Sequence, residues 1–154
     1  MKKLVMMRGI PGSGKSTKAQ EIARKHLENG GRSVAICSTD DYHMEHGEYV
    51  FKPKLLGEFH VKNQIRASGY MDKCIELVIV DNTNIKRKDM MVYINNGQSC
   101  GYEVEEVIVG KDKLFPDMDA SAHDFTNYID MCAARNTHGV PKDVIDRMAR
   151  TFQK

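Results

Sequence analysis

At 154 residues the chain has the length of one domain and is long enough to bury a substantial core. Its 41% hydrophobic and 29% charged residues are ordinary for a globular protein in water, and no apolar run approaches the length of a membrane span. The net charge of +2 is spread unevenly: residues 1–100 carry 16 Lys/Arg against 11 Asp/Glu, and residues 101–154 carry 7 against 10. A mildly basic front half suits an anionic ligand, although solvated faces alone would also produce it. Cys37, Cys74, Cys100 and Cys132 are widely spaced and match no CxxC metal pattern. They read as free thiols of a reducing cytosol, and a glycine-rich loop beginning at Gly9 leaves no room for an apolar signal stretch. A cytoplasmic location is the expectation.

Lys3-Leu4-Val5-Met6-Met7 predicts a buried strand over about residues 3–8. It runs into Gly9-Ile10-Pro11-Gly12-Ser13-Gly14-Lys15-Ser16, the GxxxxGK[ST] phosphate-binding P-loop. Thr17 to Asn29, rich in Ala, Lys, Glu and Leu and ending at Gly30-Gly31, predicts the following helix. Strand, loop and helix stand in the order the motif requires. The glycines let the backbone curl until several N–H groups face one anion, and the helix adds its N-terminal dipole. Gly9, Pro11, Gly12, Ser13, Gly14, Lys15, Ser16 and Thr17 are therefore the candidate ATP-binding residues. Lys15 is expected to reach the β- and γ-phosphates, and the Ser16 hydroxyl to coordinate Mg²⁺.

Ser33 to Cys37 predicts a second buried strand, ending in Ser38-Thr39-Asp40-Asp41-Tyr42. Two carboxylates at the carboxyl end of a strand sit where open α/β sheets place their ligands. They suit a general base for an acceptor hydroxyl and equally a turn or helix cap. Tyr42 to Lys52 reads as a polar loop whose His43, His46 and Glu48 are surface residues, their spacing fitting no metal site. Pro53 opens a helix with Leu55, Leu56, Phe59, Ile65 and Met71 as a partial apolar face, and His60 and Asn63 solvated or hydrogen-bonded on one side. Glu76 to Val80 is a third apolar run and ends at Asp81. After a P-loop this is the Walker B pattern, a strand whose terminal acid approaches Mg²⁺.

Asn82-Thr83-Asn84 follows as a loop, and Ile85-Lys86-Arg87-Lys88 opens a helix reaching about Asn96, with Asn96-Gly97 as its stop. The Lys-Arg-Lys cluster suits either phosphate contact or a solvated helix end. A fourth strand is predicted over about 103–109, an acidic turn-rich stretch over Gly110–Ala120, and a helix over Ser121–Ala134. Arg135-Asn136-Thr137-His138-Gly139-Val140-Pro141 leads to a last helix reaching about Phe152, with Val144, Ile145 and Met148 inward. Two helices joined by a short polar turn carrying Arg read as a lid over about residues 121–141, or as a helix hairpin with a surface Arg. Alternating strands and helices make this an α/β protein, a P-loop three-layer sandwich in one domain over residues 1–154. The parallel sheet is expected to hold about four or five strands, the first and third as central neighbours, so that the P-loop and Asp81 meet at one Mg²⁺.

Arg8 to Thr17, Ser38 to Tyr42, Val80 to Asn84 and Arg135 to Pro141 together resemble P-loop kinases of the polynucleotide kinase type. The likeness is to the kinase domain found in NEDD4-binding protein 2 and its bacterial and phage relatives, and it covers about residues 3–152. The resemblance implies an ATP-dependent polynucleotide 5′-hydroxyl kinase. Asp40 matches its catalytic base, Gly9–Ser16 its ATP loop, Asp81 its Walker B-like acid and Arg135 its lid arginine, catalytic together with Lys15 and also touching ATP. Viral members carry a second lid arginine a few residues on, where His138 stands here. Thr39, Asp41, Asn82, Thr83 and Arg87 are secondary candidates for substrate contact, and a nucleic-acid 5′-hydroxyl end is the expected partner, with no membrane. The residues also admit a kinase of a small hydroxyl metabolite or nucleoside, or a non-catalytic ATP-binding module.

Overall fold

The computed structural model describes residues 1–115 and 122–154. Its elements run β1 (Lys3–Arg8), α1 (Lys15–Glu28), β2 (Val34–Cys37), a 3₁₀ turn (Thr39–His43), a small hairpin of β3 (Met44–Glu45) and β4 (Glu48–Tyr49), a 3₁₀ turn (Pro53–Leu55) and α2 (Leu56–Asp72). They continue with β5 (Leu77–Asp81), a 3₁₀ turn (Arg87–Asp89), α3 (Met91–Ser99), β6 (Glu103–Ile108), α4 (Lys111–Leu114), α5 (Ala122–Arg135) and α6 (Lys142–Arg150). Among the described residues the main sheet has four strands in the order β2-β5-β1-β6, and every pairing is parallel. β1 and β5 are the central neighbours, with Met7 opposite Asp81.

The apolar runs form strands because both faces of this sheet are covered. Side chains alternate along β1 and β5. Leu4, Met6, Val78 and Val80 pack with Ala67 and Met71 of α2 and Tyr93 and Ile94 of α3. Val5, Met7, Leu77 and Ile79 face the other way, onto Ala19 and Ala23 of α1. A third cluster beyond the strand ends joins Ile10 of the P-loop and Ile85 to Tyr128, Ile129 and Cys132 of α5 and Ile145 and Ala149 of α6. The P-loop is thus held between the sheet and the C-terminal helices.

Three sequence expectations are corrected by packing. The buried stripe of α2 is Phe59, Asn63, Ala67 and Met71, at steps of four, whereas Leu55 and Ile65 are exposed. Asn63 takes a core position because its amide donates to Tyr93 Oη (3.0 Å) and accepts from Arg66 Nη2 (2.7 Å), so its burial leaves no orphaned dipole. Asn96-Gly97 does not stop α3, which runs to Ser99. Gly97 is buried, and a Cβ on it would stand 2.7 Å from Leu4 Cδ2, so glycine allows the helix to approach β1 closely. The polar stretch 42–52 carries the β3–β4 hairpin, and His43 within it is buried. The stretch Gly110–Ala120 begins with α4, and residues 116–120 lie outside the described residues, as does Ser121.

A fully buried cation fastens the third cluster to the sheet. Arg8, the last residue of β1, donates from Nε to Asn84 O (2.9 Å) and from Nη2 to the carbonyls of Ile85 and Gln153. Its Nη1 meets Glu106 at 3.2 Å, and its guanidinium lies over the Phe152 ring at 4.8 Å. Removing one partner from a buried charged network leaves the others desolvated and unpaired. Arg8→Met is therefore expected to cost about 3 kcal/mol of stability, read as a lowered denaturant midpoint at unchanged slope. A midpoint equal to wild type would mean that the network contributes no net stability.

Candidate active site

The P-loop is locked to its neighbours before any ligand arrives. Gly9 N–H donates to Thr83 O (3.0 Å), Ser13 N–H to Ile10 O (3.1 Å), and the buried Asn84 amide to Met7 O (2.7 Å). Gly12 has φ +81°, and a Cβ there would overlap the carbonyl of Cys132 on α5. Glycine is required at that position both for the left-handed backbone and for the approach of α5. Pro11 is half-buried, the Ser13 side chain is buried, and Gly14 and Thr17 flank the start of α1 at the surface. Loop and helix N-terminus together present backbone N–H groups to an anion.

The Ser16 hydroxyl donates to Asp81 Oδ2 at 2.8 Å, which joins the P-loop to the end of β5. Asp81 Oδ1 is buried without a hydrogen-bond partner among the described residues. Burial pushes the Asp81 carboxyl up, against the pull of Lys15 and the Ser16 hydroxyl. Lys15 is drawn down by burial and held up by the charges of Asp81 and then Asp40. A hydroxyl beside a carboxylate with one unmet oxygen is a hard-oxygen donor set, the kind that suits Mg²⁺. A dication there would also remove the desolvation penalty on Asp81.

The two adjacent acids separate in the structure. Asp41 is taken by Arg66 of α2, whose Nη2 lies 3.0 Å from Asp41 Oδ2 and also donates to Ser38 O (2.9 Å). Asp40 has a different set of neighbours. Tyr49 Oη donates to its Oδ1 (3.3 Å), and His138 Nδ1 lies 3.3 Å from its Oδ2. Burial and then the Asp40 charge push the Tyr49 phenol up to about 12, so it remains a proton donor at neutral pH. The pair is therefore divided: Asp41 anchors the turn to α2, and Asp40 is met by Tyr49 of β4 and by His138.

The secondary candidates each make contacts within the fold. Thr39 is buried, its N–H donates to Asn82 Oδ1 (2.9 Å), and its hydroxyl lies 3.2 Å from His60 Nδ1. Asn82 thereby ties the ends of β2 and β5 together, and the Thr83 carbonyl supports Gly9. Arg87 is spent on Glu106 through both terminal nitrogens (3.0 Å each) and on the carbonyl of Lys154. That pairing holds the Glu106 carboxyl below its ordinary value. Arg135 is exposed at the end of α5, one turn beyond the Cys132 carbonyl that abuts Gly12.

Sequence reasoning missed His43, Tyr49 and the placement of His138. His43 sits among Tyr49, Phe51 and Phe59, with ring centroids 4.8 to 5.6 Å away. Lys52 N–H donates to its Nδ1 (3.1 Å), and burial draws its pKa down, so the ring is neutral. The local signal is only that Tyr42, His43, Tyr49 and Phe51 lie close together in the chain; the cluster itself is tertiary.

Comparison with known proteins agrees with this architecture. NEDD4-binding protein 2 of Homo sapiens is 38% identical over 151 residues, covering 98% of this chain and 8% of that protein. The chain thus spans under a tenth of the length of that relative. Among solved structures, a chain of the Pnkp1/Rnl/Hen1 RNA repair complex superposes with a TM-score of 0.66 at 16% identity, covering 99% of this chain and 44% of that one. A sugar kinase from Janibacter sp. gives 0.60 at 15% identity, covering 100% and 79%. Chaetomium thermophilum Kti12 in complex with ADP-AlF3 gives 0.57 at 11% identity, covering 98% and 80%. At these identities the structures share the fold, that of P-loop kinases and nucleotide-binding proteins. The family model described as "Chromatin associated protein KTI12" matches residues 2–98, from β1 through the P-loop and Asp81 into α3, and the chain belongs to that family.

Proposed function

We propose that the chain is an ATP-dependent kinase that transfers the γ-phosphate to the 5′-hydroxyl of a polynucleotide. The observation that supports the kinase reading is that Lys15 of the P-loop feels the charges of both Asp81, which Ser16 joins to the P-loop, and Asp40 at the end of β2. A carboxylate close enough to the phosphate-binding lysine to orient an acceptor hydroxyl is a part that phosphoryl transfer uses. The 5′-hydroxyl acceptor is supported by the resemblance of the Thr39-Asp40-Asp41-Tyr42 and Arg135–Pro141 segments to polynucleotide kinases. The likeness to a chain from an RNA repair complex agrees with it.

In this reading Lys15 and the P-loop amides hold the β- and γ-phosphates. Ser16 and Asp81 would hold Mg²⁺, which when bound would neutralise phosphate charge. Asp40 orients the acceptor hydroxyl and takes its proton as the new O–P bond forms and the bond to the β-phosphate oxygen breaks; ADP leaves from the P-loop. Arg135 closes on the transferring phosphoryl. Positioning and charge neutralisation supply most of the rate.

Arg135→Ala is expected to leave the melting temperature unchanged and to slow transfer roughly 10- to 100-fold with little change in acceptor affinity, because a lid arginine acts on charge that develops in the transition state. Equal losses of ATP affinity and turnover would make it a ground-state ATP ligand instead. The function itself is tested by incubating the protein with Mg²⁺ and γ-labelled ATP against 5′-hydroxyl DNA, 5′-hydroxyl RNA, nucleosides and small alcohols. Label on an oligonucleotide 5′ end is the expected result. Label on a nucleoside or small alcohol alone would replace the acceptor class. ATP binding with no labelled acceptor would favour the binding module.

A further inference from the structure

The loop that follows α5 is stapled into one shape. Asn136 Nδ2 donates to the carbonyls of Ala133 and Val140 (3.2 Å each), and Asn136 Oδ1 accepts from Val140 N–H (2.9 Å). One side chain therefore spans the loop, and Gly139 supplies the positive φ of +67° that the reversal needs. At the tip of this loop stands His138. Its ring lies parallel to that of Tyr49, with centroids 3.9 Å apart and an interplanar angle of 12°. Its Nδ1 lies 3.3 Å from Asp40 Oδ2, while Tyr49 Oη donates to Asp40 Oδ1 at 3.3 Å. The two oxygens of one carboxylate are thus met by two stacked rings that arrive from distant parts of the chain. Tyr49 is in turn backed by buried His43, at a ring separation of 5.6 Å, which is itself fixed by the Lys52 N–H.

We infer that His138 and Tyr49 are positioning residues for Asp40: the stacked pair holds the carboxylate in the orientation that receives the acceptor's proton, and it does so from the loop that also carries Arg135. The role of Asp40 as base is that of the proposed function, on which this inference rests. The physical argument is rotational. An aspartate has two free torsions, and an unrestrained carboxylate spends much of its time misdirected, whereas contacts to both oxygens leave one rotamer. The stack fixes the imidazole plane, and the Asn136 staple fixes the loop. Because His138 lies three residues beyond Arg135, placing the arginine over the phosphoryl and aiming the base are parts of one loop arrangement. A histidine at this position therefore acts on the acceptor side, through Asp40, where a second arginine would act on the phosphates.

Two readouts test this on the whole protein. His138→Phe keeps the ring and the stack on Tyr49 but removes Nδ1. It is expected to lower kcat for transfer to a 5′-hydroxyl oligonucleotide roughly 10- to 100-fold, with the KM for ATP unchanged, since in the proposed function ATP is held by the P-loop and not by this pair. His138→Asn, whose amide nitrogen falls near the Nδ1 position, is expected to recover most of that loss, and His138→Gln, one methylene longer, is not. The second readout needs no turnover: the ¹⁵N and ¹H resonances of the His138 ring are expected to shift in Asp40→Asn and in Tyr49→Leu. A His138→Phe enzyme with wild-type kcat overturns the inference, as do ring resonances indifferent to both substitutions. If the wild-type protein phosphorylates no acceptor, that failure belongs to the proposed function, and the ring resonances alone decide whether His138 holds Asp40.

Discussion

Lys15→Ala is expected to abolish useful turnover while leaving the fold intact. In the proposed function Lys15 is the cation that the P-loop offers to the β- and γ-phosphates, and its charge is opposed by those of Asp81 and Asp40. Two features of its setting make the loss large. The side chain is half-buried, so its attraction to phosphate is only partly screened, and burial is what draws its pKa down. Its removal also leaves Asp81 without the neighbouring charge that opposes the upward push of burial. Loss of a charge-assisted contact to a developing transition state costs about 2–4 kcal/mol, or ~30- to 1,000-fold in rate. The check is steady-state transfer by wild type and mutant at saturating ATP, with circular dichroism confirming the fold. Transfer near the wild-type rate would show that the P-loop is not where the reaction occurs.

What the sequence made legible follows the range of the interactions. The P-loop could be read residue by residue, because strand, glycines, Lys15-Ser16 and helix are contiguous and each answers a local demand. The parallel sheet and the central pairing of β1 with β5 were legible for the same reason: apolar runs alternating with helices admit few arrangements, and Ser16 must reach Asp81. The choice between Asp40 and Asp41 was not legible from the residues alone, since both are good turn formers. Arg66, on α2, pairs with Asp41 and leaves Asp40 to other partners, which is the contact the proposed role of Asp40 is built on. Asn63 reads equally as solvated or hydrogen-bonded and His43 as a surface residue; both are inside, because partners remote in sequence satisfy the Asn63 amide and surround the His43 ring. Arg87 stood in a basic cluster that suited phosphate, and Glu106 on β6 claims it. The same blindness covers His138. Its stack on Tyr49 joins a turn near the C-terminal end to a two-residue strand, and no periodicity in either segment announces it.

The second large effect is expected at Asp40. Asp40→Asn keeps the side chain's size and can still accept from Tyr49 Oη, so the local packing survives. The amide cannot take a proton from the acceptor hydroxyl. Phosphoryl transfer should fall by roughly 10²- to 10⁴-fold, the range for a positioned general base. ATP affinity should hold, because the P-loop contacts are made by other residues. Asp41→Asn serves as the neighbour control. Asp41 is about half exposed and engaged by Arg66, so its loss is expected to loosen the turn slightly and to leave turnover within a few-fold of wild type. Its position next to Asp40 makes it a sensitive check on the assignment, for the two side chains leave the turn in different directions.

The most direct measurement is therefore a paired one on Asp40→Asn: calorimetric titration with ATP in the presence of Mg²⁺, alongside transfer of labelled phosphate to a 5′-hydroxyl oligonucleotide. Unchanged ATP affinity with transfer reduced at least a hundredfold is the predicted result. A mutant that transfers phosphate at the wild-type rate would contradict the account and reduce Asp40 to a turn residue held by Tyr49 and His138.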